Sequence, residues 1–162
     1  MDIDAMTSFA STIPIDWIIL GALAILFSID ALRAGPAKIS ALALALPSAM
    51  LISGLLPGAA FLGSIVSQFS TPFLQGALFL AIAAGLYILV RRMDASYGGE
   101  GQPFQALLAG CAGTAILMVV WLQIPALTAL WAFGSDIVGV FGTTYAFWWL
   151  IGSYAALAAV RG

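Results

Sequence analysis

Residues 14–38 read Pro-Ile-Asp-Trp-Ile-Ile-Leu-Gly-Ala-Leu-Ala-Ile-Leu-Phe-Ser-Ile-Asp-Ala-Leu-Arg-Ala-Gly-Pro-Ala-Lys. Asp16 and Trp17 open the stretch, a charge-free run follows from Ile18 to Ile29, and Asp30, Arg33 and Lys38 surround a Gly35-Pro36 turn. A lipid bilayer selects this profile, since charge is costly in hydrocarbon and Trp favours the interface. The apolar part, residues 15–32, makes a helix of ~27 Å, close to the ~30 Å thickness of a hydrocarbon core. It is read as a first membrane span closed by a basic turn.

Composition agrees with that reading along the whole chain. Of 162 residues, 63% are hydrophobic and 7% charged, against about 25% charged in a soluble domain. Seven acids and five bases cannot solvate a globule of this size, so most of its surface must face lipid or protein. The expected fold is an all-α integral membrane protein forming one transmembrane domain over residues 1–162. Five transmembrane helices are expected, over about 15–32, 39–56, 73–90, 104–122 and 138–160. One or two short interfacial helices are expected between them. The acidic start, Met1-Asp2-Ile3-Asp4, lacks the positive region of a cleaved signal peptide, so the first span is expected to be retained.

Several positions punctuate these spans. Pro47 falls inside the second and should kink it, with Ser48 or a neighbouring helix answering the freed carbonyl. Phe61, Ile65 and Phe69 recur at helical spacing opposite Ser64, Ser67 and Gln68 and suggest an interfacial helix. Residues 126–137 suggest another, with Leu127, Leu130 and Trp131 on one side. Two spans, a proline and an amphipathic stretch thus occur twice in succession. That order is also what a parallel internal repeat would give.

Orientation follows from the basic residues. Arg33 and Lys38, Arg91 and Arg92, and Arg161 come after spans one, three and five, so five crossings put every base on one side. The positive-inside rule then makes that side cytoplasmic and the N-terminus external. The five tryptophans, Trp17, Trp121, Trp131, Trp148 and Trp149, fall at or toward the opposite face.

Chemistry-bearing residues are few. The chain has no His, and no span carries an ionisable group near its centre, which disfavours a carboxylate-relay pump. Cys111 stands alone in the fourth span and cannot form an internal disulfide. Asp16 is expected to cap the first helix, and Asp30 to pair with Arg33 three residues on. The loop Gly98-Gly-Glu-Gly-Gln-Pro103 lacks the Lys and preceding strand of a phosphate cradle. Neither a catalytic residue, a metal site nor a cofactor is expected, and neither is nucleic acid as a partner.

Small residues at four-residue spacing are the remaining signal. Gly54 and Gly58, Ala81 and Gly85, Ala109 and Gly113, and Gly152 and Ala156 could each let helices approach closely in lipid. Gly110 lies beside the third of these pairs. Phe141, Tyr145, Phe147, Trp148 and Trp149 crowd the outer half of the fifth span. Of these, Tyr145, Trp148 and Trp149 are candidates for a partner or lipid surface, with an interfacial belt as the alternative.

The Ile15-Asp16-Trp17 opening, Arg33 and Gly35 at the end of that span, and Gly110-Cys111-Ala112-Gly113 resemble the colicin V production (CvpA) family of bacterial inner-membrane proteins. The likeness covers about residues 15–120. The chain departs from the family pattern at Ala34, at Lys38, in lacking an Arg beside Gly113, and in its fifth span. The resemblance implies a bacterial inner-membrane location and a role in secretion or envelope homeostasis, without naming an activity. The expected function is therefore non-enzymatic envelope transport or assembly, carried out in the bilayer by self-association or with other membrane subunits. A structural accessory subunit of a larger complex is the alternative, and a small lysis-type pore a weaker one.

Overall fold

A computed structural model describes residues 14–58, 71–93 and 102–161. Every regular element among them is helical. Helix α1 spans Ile15–Ala34, α2 Ala37–Leu55, α3 Pro72–Met93 and α4 Pro103–Gln123. A 3-10 turn, Leu56–Gly58, follows α2. Beyond α4 come two short helices, α5 Pro125–Leu130 and α6 Ser135–Phe141, and then α7, Thr143–Arg161. The interfacial helix expected around Phe61, Ile65 and Phe69, and most of the glycine-rich loop, lie outside the described residues.

Helices α1 to α4 are long and apolar enough to cross a membrane, and each falls within a few residues of an expected span. The segment expected to be a continuous fifth span differs. It divides at Gly142 into α6 and α7. Gly142 is extended at the corner, and its N–H donates to Val138 O at 2.8 Å. A Cβ there would collide with that same carbonyl oxygen. A residue with a side chain cannot make this corner without shifting it, so the long helix starts at Thr143 and not at 138. The interfacial stretch expected over 126–137 likewise resolves into α5, an extended link through residues 131–134, and the first turn of α6. Leu127 is buried there while Leu130 and Trp131 are exposed, with Leu127 and Leu130 both turned toward Gly76 of α3.

The turn joining α1 to α2 depends on one glycine. Gly35 adopts φ 80°, a region that side-chain-bearing residues avoid, and Pro36 then starts α2 with its fixed φ. Helix α4 is the most buried of α1 to α4 and packs against α1, α2, α6 and α7. Helix α2 also packs on α3, giving a row in the order α1, α4, α2, α3. Exchanging α1 with α3 and α2 with α4 gives the same row read from its other end.

In the row, α1 and α4 run antiparallel, as do α2 and α3, while the central pair α4 and α2 run parallel. Ser28 of α1 meets Gly110 of α4, while Asp16 bonds to Gly134, beyond the far end of α4. Gly76 of α3 lies beside Leu127 and Leu130 of α5. Helix α7 starts near α6 and runs toward the first turns of α2, where Leu157 and Ala158 lie near Ser40. The starts of α1, α3 and α7 and the end of α4 therefore share one end of the molecule. The Arg33–Lys38 turn and the last turns of α3 and α7 occupy the other.

Candidate functional site

The charged side chains form two ties that sequence reasoning assigned to other partners. Asp16 lies in the first turn of α1, which has no side-chain cap. Its Oδ2 instead accepts a 2.6 Å hydrogen bond from the Gly134 N–H, 118 positions away. Asp30 pairs with Lys38 at 2.7 Å and not with Arg33, because the Gly35-Pro36 turn folds Lys38 back over the last turns of α1. Arg33, Arg91 and Arg92 are exposed and make no ion pair among the described residues. The Asp30 and Lys38 side chains are 42% and 27% exposed, so solvent screens their attraction. Asp30→Asn is expected to cost no more than ~1 kcal/mol in reversible unfolding in detergent. A loss several times larger would make this pair a structural keystone, which its exposure argues against.

A third polar tie lies between the helices. Pro47 has no N–H, so it leaves the carbonyl of Ala43 without its helical donor. The Tyr154 hydroxyl of α7 donates to that oxygen at 2.8 Å. Ser48 Oγ donates to Leu44 O at 2.7 Å, so the serine answers a neighbouring carbonyl and Tyr154 the freed one. Pro47 signals in the sequence that a donor is needed. Which residue supplies it depends on the rotation of α7, and the sequence does not carry that.

The glycines divide into two groups. A Cβ on Gly110 would stand 2.6 Å from Ser28 N and 2.8 Å from Ser28 Cα, and one on Gly113 would stand 2.6 Å from Ile39 Cγ2. Both sit where α4 crosses its neighbours. Among the described residues, a Cβ on Gly54, Gly85 or Gly152 would meet nothing within 4 Å, so these three make no close approach to any of them. Gly58 ends the 3-10 turn.

Gly152 belongs instead to a lateral groove between α4 and α7, of about 450 Å³. Leu108, Cys111, Ala112 and Ala115 line one wall, and Tyr145, Trp148, Trp149, Gly152, Ser153 and Ala156 the other. The three aromatic residues singled out from the sequence thus share one cavity. Trp148 is the most open of them at 68% exposure, with its ring edge-on to Phe147 at 5.4 Å. The Trp149 ring packs on Phe141 at 4.6 Å, and its Nε1 donates to Val140 O at 2.7 Å. Cys111 is exposed in this groove. Its place beside the aromatic cluster was not foreseeable, because it requires knowing which face of α4 meets α7.

No protein-family model, curated protein or solved structure matches the chain. The site is therefore read from its own chemistry. Among the described residues no three His, Cys, Asp or Glu side chains gather in a metal-binding cluster. The groove offers apolar and aromatic surface, with the Ser153 hydroxyl and the Cys111 thiol as its side-chain polar groups besides the ring-borne N–H and O–H. Such a surface suits contact with another apolar helix or with lipid.

Proposed function

We propose that this chain is a non-enzymatic, five-span protein of a bacterial inner membrane that acts in envelope transport or assembly by packing against other helices in the bilayer. The α4–α7 groove carries this reading. It combines an open, small-residue wall at Gly152 and Ala156 with large exposed rings, the pairing that lets a second helix approach closely. The fifth crossing is supported by the course of α7, whose 19 residues span ~28 Å at helical rise. It runs from the Trp-bearing end to the basic end, although its Thr, Tyr and Trp residues make it less apolar than the other four. With α7 spanning, Arg33, Lys38, Arg91, Arg92 and Arg161 share the cytoplasmic side.

Gly152→Leu tests the reading without burdening the fold, because the added side chain projects into open space within the chain. Native mass spectrometry from mild detergent should find a defined oligomer or complex for the parent protein. The variant should associate more weakly by roughly tenfold or more, as the loss of a close helix contact would give. Unchanged association would remove the groove from the argument.

A second reading, an accessory subunit of a larger assembly, draws on the flanks of the row. Helices α1 and α3 bury few of their residues and expose large apolar side chains, including Ile18, Ile25, Leu26, Leu80 and Leu89. Co-purification at a fixed ratio with larger subunits would favour this reading, and a pure homo-oligomer would count against it.

A further inference from the structure

We infer that residues 131–142 form a latched strap across the end of the bundle where α1 and α7 begin, and that Asp16 is its ionisable latch. Three spanning segments reach this strap through single side chains, each bonded to its backbone. Asp16 of α1 accepts from Gly134 N, Trp121 of α4 donates to Trp131 O at 3.2 Å, and Trp149 of α7 donates to Val140 O at 2.7 Å. Beneath it, Ile137 and Phe141 fill the wedge lined by Ala115, Met118 and Val119 of α4 and Ala146 of α7, with Trp17 packed alongside.

The strap is built to detach more easily than the helices it covers. Its one helix, α6, has seven residues, well below the ~12–15 at which an isolated helix becomes even marginal in water. Residues 131–134 have no regular structure, and Trp131, Ser135, Asp136, Val138 and Gly139 are exposed. Ile137 and Phe141 are the two buried residues of the strap, and a segment anchored at so few positions opens nearer the low end of a protein's stability range than the helices it covers. The short carboxylate-to-amide bond from Asp16 is the strongest of the three ties, since charge-assisted hydrogen bonds exceed neutral ones. Its release would uncover the wedge between α1, α4 and α7 while leaving the row of spanning helices intact.

Hydrogen exchange of the protein in lipid nanodiscs, read by mass spectrometry on peptides covering 131–142, tests this. Asp16→Ala removes the acceptor. Gly134→Pro removes the donor at a position whose φ of −62° proline can adopt. Each should speed exchange in the strap by roughly tenfold or more, the effect of losing a hydrogen bond to a charged group. Exchange in α2 and α3 should not change. Asp16→Asn, which keeps an acceptor oxygen, should give a smaller increase, and the double variant should exchange no faster than the faster single one. An unaltered strap, a loosening of the whole chain, or additive effects in the double variant would overturn the inference. Should the variants fail to fold, the parent protein still decides it. Strap amides must exchange well before those of α1 and α4, and exchange only together with them would refute a separable strap.

Discussion

Gly110→Ala should destabilise the protein by about 1–3 kcal/mol, the usual cost of forcing extra atoms into a filled contact. The new Cβ would lie 2.6 Å from the Ser28 backbone nitrogen and 2.8 Å from its Cα, and nearer still to Oγ. Ser28 has already turned its hydroxyl back to donate to Ala24 O at 2.7 Å. What remains in the way is chiefly backbone, which yields only if α1 and α4 move apart. Alanine's better helix propensity opposes the loss by at most ~1 kcal/mol, so overpacking should win. Gly85→Ala supplies the contrast, since no described residue lies within 4 Å of its added carbon; it should be neutral or slightly stabilising. Gly113→Ala should also be destabilising, because its obstacle, 2.6 Å away, is Cγ2 of the buried Ile39, a branch methyl that moves only with a stiff χ1. Reversible unfolding by SDS titration in mixed micelles ranks the three. Equal behaviour of Gly110→Ala and Gly85→Ala would mean that α1 and α4 do not approach closely.

Tyr154→Phe should cost about 1–2 kcal/mol, within the range for orphaning a buried polar group. In lipid the Ala43 carbonyl has no water to turn to. The informative measurement is the same substitution made together with Pro47→Ala. Alanine at 47 restores the N–H that Ala43 O lacks, so the tyrosine becomes largely redundant there. The loss should shrink by at least ~0.5 kcal/mol, a coupling typical of residues sharing one partner. Identical losses in both backgrounds would show that the hydroxyl does not serve the freed carbonyl.

These contacts mark where sequence reasoning stopped. The first four spans were legible because run length against bilayer thickness is a one-dimensional criterion, and residues 15–32 or 104–122 meet it without knowledge of any neighbour. Partner identity is three-dimensional. Asp30 has Arg33 within reach on an ideal helix, but the positive φ at Gly35 brings Lys38 back to it. Asp16 suits its own helix N-terminus, but the packing of α6 presents a better-placed N–H at Gly134. The small-residue pairs show the same limit. Gly110 and Gly113 mark true close approaches, whereas Gly85 and Gly152 carry a similar signature on open faces, since the motif does not record which way a helix is turned. The corner at Gly142 was hidden because apolar residues continue on both sides of it.

The account rests on alternating crossings that gather all basic turns in one compartment. Single cysteines in a Cys111→Ala background, labelled with a membrane-impermeant maleimide, test it most directly. Ala34→Cys, Asp94→Cys and Gly162→Cys should react only in inside-out vesicles, whereas Pro57→Cys and Ser135→Cys should react only in right-side-out vesicles. Labelling of Gly162→Cys from the side opposite to Ala34→Cys would leave α7 uncrossed and contradict the five-span topology.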